Sequence, residues 1–158
     1  VIVTPNKRYS NVVYLGYLDI VMYHEPTQTF KIIDIKTSTR GWNDKVKKDE
    51  DKQFQLILYK KFFSEQFNIP IENIDIEFFI VKRKVYDHPD YIIPRIQTFT
   101  PASGKVKLNK ADKALNEFIE ATFDRDGFKD KSHTPTPSKW NCTFCPFKDN
   151  PELCGVSQ

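Results

Sequence analysis

The stretch from Thr29 to Thr37 constrains this chain more than any other, because its apolar residues alternate with period two around a buried-looking acid. In an extended strand Phe30, Ile32, Asp34 and Lys36 share one face, while Lys31, Ile33, Ile35 and Thr37 share the other. A carboxylate and an ammonium are thereby set on the same face as Phe and Ile. Just upstream, Asn11 to His24 is dense in Val, Tyr, Leu and Ile and reads as a strand that carries its own acid, Asp19. Glu25-Pro26-Thr27 supplies turn chemistry between the two runs, so an antiparallel hairpin is expected.

The rest of the chain is organised around that hairpin. Ser38 to Asp51, with Gly41, Trp42, Asn43 and a mixed charge cluster, reads as a loop leading into a helix from Asp51 to Phe67. Phe54, Leu58 and Phe62, with Ile57 beside them, form its apolar stripe, leaving Lys52, Lys60, Lys61 and Glu65 in water, and Pro70 ends it. Ile74 to Lys84 is a buried strand that emerges at a basic end, and Tyr91 to Thr100, interrupted by Pro94, is an edge strand. Ala111, Leu115, Phe118, Ile119 and Thr122 mark a second amphipathic helix opened by Asn109 as N-cap. After Gly127 the composition shifts to Lys, Ser, Thr and Pro, dividing the chain into a core of residues 1–127 and a cysteine-bearing tail of residues 128–158. With 158 residues in all, a core can form without disulfides. The three cysteines, odd in number and confined to that tail, argue against a secreted, cross-linked scaffold. No apolar run has the roughly 18 residues of a membrane span, and no leader pattern opens the chain. The expectation is a soluble cytoplasmic protein, bacterial or phage-encoded. Its first residue, Val1, suggests a piece of a longer chain or a processed product.

Asp19 and Asp34 need a partner, since an unpaired carboxylate in an apolar strand costs roughly several kcal/mol. On paired strands the two can converge on one hard, oxygen-seeking cation such as Mg²⁺ or Mn²⁺, with the Lys36 ammonium directed into the same space. Such a set suits phosphodiester hydrolysis, which requires an activated water and neutralisation of charge on the phosphoryl and leaving oxygens. Gln55 and Tyr59, spaced i and i+4, share one face of the following helix and could hold water, metal-bound solvent or a nucleic acid backbone. Each element taken alone is weak: Asp-x-Lys arises by chance, and Gln55 with Tyr59 could be a helix surface pair.

Taken in order, Gly16-Tyr17-Leu18-Asp19, Asp34-Ile35-Lys36-Thr37 and Gln55-x-x-x-Tyr59 resemble the PD-(D/E)XK nuclease superfamily, and within it the RecB-like exonucleases and the nucleases of CRISPR spacer acquisition. The resemblance implies an α/β (α+β) fold with a restriction-endonuclease-like core, a mixed central sheet flanked by helices, followed here by a C-terminal cysteine knuckle. It implies Asp19, Asp34 and the carbonyl of Ile35 as metal ligands, Lys36 as the catalytic lysine, and Gln55 with Tyr59 as the RecB-like helix motif. The helix that precedes the core strands in the family, often bringing a further ligand, has no counterpart before Asn11. The proline that gives the family its name is also missing before the first aspartate.

Cys142, Cys145 and Cys154 give C-x2-C-x8-C in a turn-rich segment with Trp140, Pro146, Phe147 and Pro151. They read as a metal staple short of one ligand, with redox thiols or buried structural thiols as the alternatives. His133 could complete a zinc site. By resemblance, a cysteine from an upstream segment would complete the four-iron iron–sulfur cluster of RecB-like and spacer-acquisition nucleases, and spacing does not separate zinc from iron.

Arg40, Lys45, Lys47 and Lys48 follow the Asp34-x-Lys36 strand, and Lys82-Arg83-Lys84 end another, so phosphates could be held beside the acids, with Trp42 or Tyr86 stacking on a base. The net charge of +3 by itself proves no polyanion partner. The resulting expectation is a metal-dependent deoxyribonuclease acting from DNA ends or single strands in recombination, repair or phage replication, with a helicase or recombination protein as a candidate partner. The competing expectations are a DNA-binding module that keeps the fold without catalysis, and an assembly domain of a larger recombination machine.

Overall fold

A computed structural model of the chain describes residues 1–9, 11–86, 88–124, 126–128 and 136–154. It is a mixed α+β structure. Strands β1 (Ile2–Pro5) and β2 (Val13–Gly16) form an antiparallel pair. β3 (Ile20–His24), β4 (Thr29–Ser38), β5 (Ile74–Lys82) and β6 (Ile96–Phe99) form a four-stranded sheet in that order. The β3–β4 hairpin is antiparallel, with Ile20 opposite Ile33, and β5–β6 is also antiparallel. β4 and β5 are parallel, with Asp34 beside Phe78 and Lys36 beside Ile80. A parallel pair needs a long crossover, and here it contains α1 (Asp44–Lys48) and α2 (Glu50–Phe67).

Because neighbours in register share a face, Phe30, Ile32, Asp34 and Lys36 lie on the same side of the sheet as Ile74, Ile76, Phe78 and Ile80. That side is the core face. It meets α2 through Leu56, Ile57, Phe62 and Phe63, with Ile2 of β1 and Ala111 of α3 (Lys105–Thr122) in the same cluster. Each fully buried aliphatic side chain there contributes about 1.5–3 kcal/mol. The packing explains how one acid and one lysine come to lie under a helix.

Several local expectations change. Asn11 to His24 is two strands rather than one, broken after Gly16 because β2 pairs with β1 whereas β3 pairs with β4. Asp19 therefore sits in the bend before β3 and is exposed, not buried in a strand. The apolar surface of α2 wraps most of its circumference, since the helix contacts β1, the sheet and α3 at once. Lys60 is consequently buried and donates to Ser103 Oγ at 3.3 Å instead of staying in water. Burial holds its ammonium below the ordinary lysine range, against the opposing pull of Asp75 and Glu72. α2 stops at Asn68, which takes the left-handed conformation (φ 52) two residues before Pro70. α3 starts at Lys105 after Gly104, so Asn109 lies inside the helix and not at its cap, and Phe118 faces solvent because only one side of α3 meets the core. Edge strand β6 begins two residues after Pro94, as a residue without an N–H requires. In the tail, α4 (Lys139–Cys142) and α5 (Pro151–Cys154) are single turns.

Candidate active site

Asp34 is 3% exposed, held under α2 next to Phe78. Burial pushes its carboxyl above the usual range; Lys36 pulls it back, and the neighbouring charge of Asp19 pushes it further up. The Lys36 Nζ stands 2.8 Å from Asp34 Oδ2 as an ion pair. Among the described residues that ammonium is the one cationic group set against the buried oxygen, and its pull does not offset the cost of burial. The chemistry of a carboxylate buried this deeply fits a cation better than a neutral donor.

Asp19 is brought to the same place by the main chain. The Ile35 N–H donates to Asp19 Oδ2 at 2.7 Å, tying the bend before β3 to the residue that follows Asp34. This contact lies beyond the last β3–β4 ladder pair, Ile20 with Ile33, so Asp19 continues the strand edge with a side chain. In an extended strand the N–H and C=O of one residue point to the same edge, which directs the Ile35 carbonyl toward the Asp19 side as well. Among the described residues no group of three or more His, Cys, Asp or Glu side chains gathers as a metal cluster. The oxygen donors at this place are thus two carboxylates and a carbonyl, a hard set suited to Mg²⁺ or Mn²⁺.

Lys36 is oriented from the helix side. Its Nζ donates to Gln55 Oε1 at 3.0 Å, and Gln55 Nε2 donates to the Tyr59 hydroxyl at 2.9 Å. One turn of α2 thus carries a hydrogen-bonded line running from a buried phenol to the lysine. Tyr59 is 5% exposed, whereas Gln55 opens to solvent. Gly16, the first residue of the Gly-x-Leu-Asp motif, and Tyr14, which the sequence did not single out, support this line. Gly16 leaves space for the Tyr59 ring, and Tyr14 lies against Phe62 with ring centroids 4.5 Å apart. Burial, and then the neighbouring Tyr59, keep the Tyr14 phenol well above the ordinary tyrosine range, so it stays protonated.

The basic residues lie just past the site, at the carboxyl ends of the parallel pair, where Ser38 is opposite Lys82. Arg83 is exposed, and its guanidinium donates to Thr39 Oγ1 at 2.9 Å. Arg40 lies over the Tyr86 ring, 5.3 Å from its centroid. Lys45 is exposed on α1, and Lys82 is half-buried with its Nζ on the Pro94 carbonyl. Trp42 is half-buried with its ring 4.9 Å from Phe78, a packing position. Its N–H and C=O are both held by the Gln97 side-chain amide, another residue not anticipated, with Gly41 (φ 95) making the turn before it.

Cys142, Cys145 and Cys154 are free and half-buried. Cys145 N–H closes a turn onto the Cys142 carbonyl at 3.3 Å, and among the described residues the three thiols are not gathered into one group of ligands. His133, the suggested fourth ligand, lies outside the described residues. Among the described residues no helix is long and apolar enough to cross a membrane.

In comparison with known families, the family model described as the PD-(D/E)XK nuclease superfamily matches residues 9–150. No curated protein matches the chain.

Proposed function

The chain belongs to the PD-(D/E)XK nuclease superfamily, and from that membership we propose that it is a Mg²⁺- or Mn²⁺-dependent deoxyribonuclease of the RecB-like kind, degrading DNA from its ends in recombination, repair or phage DNA metabolism. The observation that supports this reading is the buried Asp34 carboxylate paired with a lysine that α2 holds through Gln55, with Asp19 tied to the next residue of the strand. Asp19, Asp34 and the Ile35 carbonyl would hold the ion. When bound, it supplies Lewis acidity that lowers the pKa of water and neutralises oxygen charge. The chain's own residues do the rest. Lys36, held at its nitrogen by the hydrogen bond to Gln55 and the ion pair with Asp34, offers an N–H bond to a non-bridging phosphoryl oxygen, where negative charge grows as the bond breaks. Arg83 and Arg40, past the ends of β4 and β5, grip neighbouring phosphates. The Tyr86 ring beside Arg40 provides a flank on which an unpaired base can stack. Contacts of this kind ignore sequence, as suits an enzyme that degrades rather than cuts at a chosen site.

The test is degradation of linear and of covalently closed DNA with Mg²⁺ or Mn²⁺. Lys36→Ala is expected to lower the rate by about 10²–10³, the cost of losing one preorganised donor to the transition state, while DNA binding in EDTA persists. Equal rates for Lys36→Ala and the parent would refute the assignment.

A further inference from the structure

We propose that Gly16 is a positioning residue for the hydrolytic site: its missing side chain is the seat of the Tyr59 ring, which sets Gln55 and through it Lys36. This rests on the nuclease reading above and extends it to a strand that touches none of the reacting groups. Gly41 and Gly127 are required by positive φ values of 95 and 81; Gly16 is not among the positive-φ residues. Its requirement is space. A Cβ at Gly16 would stand 2.7 Å from Tyr59 Cε1 and 3.2 Å from Cδ1, with Tyr14 Cε1 at 3.4 Å. The blocked atoms belong to a rigid ring that is 5% exposed, not to the end of a mobile chain. Retreat on one side is closed by Tyr14, itself packed on Phe62.

To restore ordinary contact at 3.4 Å from 2.7 Å, the ring must move by about 0.7 Å. A shift of that size in the ring also moves its hydroxyl relative to Gln55 Nε2, now at 2.9 Å, and disturbs that hydrogen bond. Gln55 is exposed, and its amide is oriented between the Tyr59 hydroxyl on one side and Lys36 on the other. Without the phenol the amide loses the anchor that aims Oε1 at Lys36 Nζ. Misplacement of a catalytic group by less than an ångström lowers turnover without altering how DNA is gripped by residues elsewhere; a loss of about 10- to 100-fold in kcat is expected.

The experiment compares Gly16→Ala with the parent in two readouts. In metal-free buffer, the side-chain amide resonances of Gln55 in a ¹H–¹⁵N spectrum should move while the bulk of the spectrum stays in place. With Mg²⁺, kcat should fall as stated while KM changes by less than about twofold, and in a Gln55→Ala background Gly16→Ala should add less than about twofold. If the Gln55 amides and kcat are unchanged, or if the loss is undiminished in Gln55→Ala, the positioning role is wrong. Should Gly16→Ala not fold, Tyr59→Leu makes room for the methyl: Gly16→Ala in that background should fold and turn over at the Tyr59→Leu rate, and failure to do so overturns the ring contact as the reason. Activity surviving Lys36→Ala would instead sink the nuclease site itself, leaving the metal-free amide result to judge the packing.

Discussion

Replacing Asp34 by Asn should make the protein more stable and inactive together. The substitution keeps shape and removes a buried charge whose desolvation outweighs the pull of Lys36. A buried charge compensated only in part costs on the order of 1–3 kcal/mol. The opposing loss is the ion pair with Lys36, whose side chain is 33% exposed and so regains water readily. A net gain of about 1 kcal/mol then corresponds to about 2–4 °C in Tm for a chain of this size. The sign has a pH signature. Asp34 has its folded pKa above the unfolded value of about 3.9, so between the two the native state binds more protons and the parent loses stability as pH rises. In EDTA the Tm advantage of Asp34→Asn should therefore be small near pH 4, grow through that window and level off above the folded pKa. Metal reverses the order: at tenfold excess over its Kd an ion adds about 1.4 kcal/mol, or about 3–6 °C, to the parent and little to the variant. Differential scanning calorimetry with and without Mg²⁺ measures all of this. A variant no more stable than the parent at any pH in EDTA, or one stabilised by Mg²⁺ as much as the parent, would refute the reasoning.

Lys60→Met should stabilise by about 1 kcal/mol, because a buried ammonium with one long hydrogen bond gives way to an apolar chain of similar reach. With its folded pKa depressed, Lys60 makes the parent gain stability as pH rises from that value toward the free lysine pKa of about 10.4; in urea titrations Lys60→Met should lack that rise. Arg40→Gln and Arg83→Gln should each weaken binding to single-stranded DNA regardless of sequence and reduce the magnitude of the slope of log K against log salt by about 1, measured by fluorescence anisotropy; an unchanged slope removes that arginine from the DNA path. Anaerobically purified protein is expected to carry iron or zinc on Cys142, Cys145 and Cys154, read by elemental analysis; finding neither, with all three thiols open to alkylation, would leave the cysteines a structural role only.

What the sequence made legible was whatever a two-residue period or a single turn of helix determines. The face shared by Asp34 and Lys36 follows from alternation alone, the β3–β4 hairpin from its turn residues, and the edge position of β6 from Pro94. Gln55 and Tyr59 were paired by their i, i+4 spacing, and that spacing is what lets the Gln55 amide bond to the phenol and to Lys36 together. Misreadings arose where the answer depends on elements distant in the chain. Lys60 looked like a wet residue on an amphipathic helix, but α2 is covered on several sides by β1, the sheet and α3, so no polar stripe of ordinary width is left to it. Asp19 looked like a strand residue because nothing local announces that β2 leaves the main sheet to pair with β1.

That departure is also what makes the site. Had Asn11 to His24 run as one strand along β4, the antiparallel register would have continued past Ile20 opposite Ile33, and the Ile35 N–H would have been used by a backbone carbonyl. The break frees it to hold the Asp19 carboxylate, at 2.7 Å, one residue from Asp34. The same break turns β2 so that Gly16 meets the Tyr59 ring. A motif read as Gly-x-Leu-Asp therefore has two ends with different duties, the glycine packing against the helix that aims Lys36 and the aspartate closing the strand edge beside Asp34. Their spacing of three residues is the length of the bend between β2 and β3, which is why the two functions travel in one short motif.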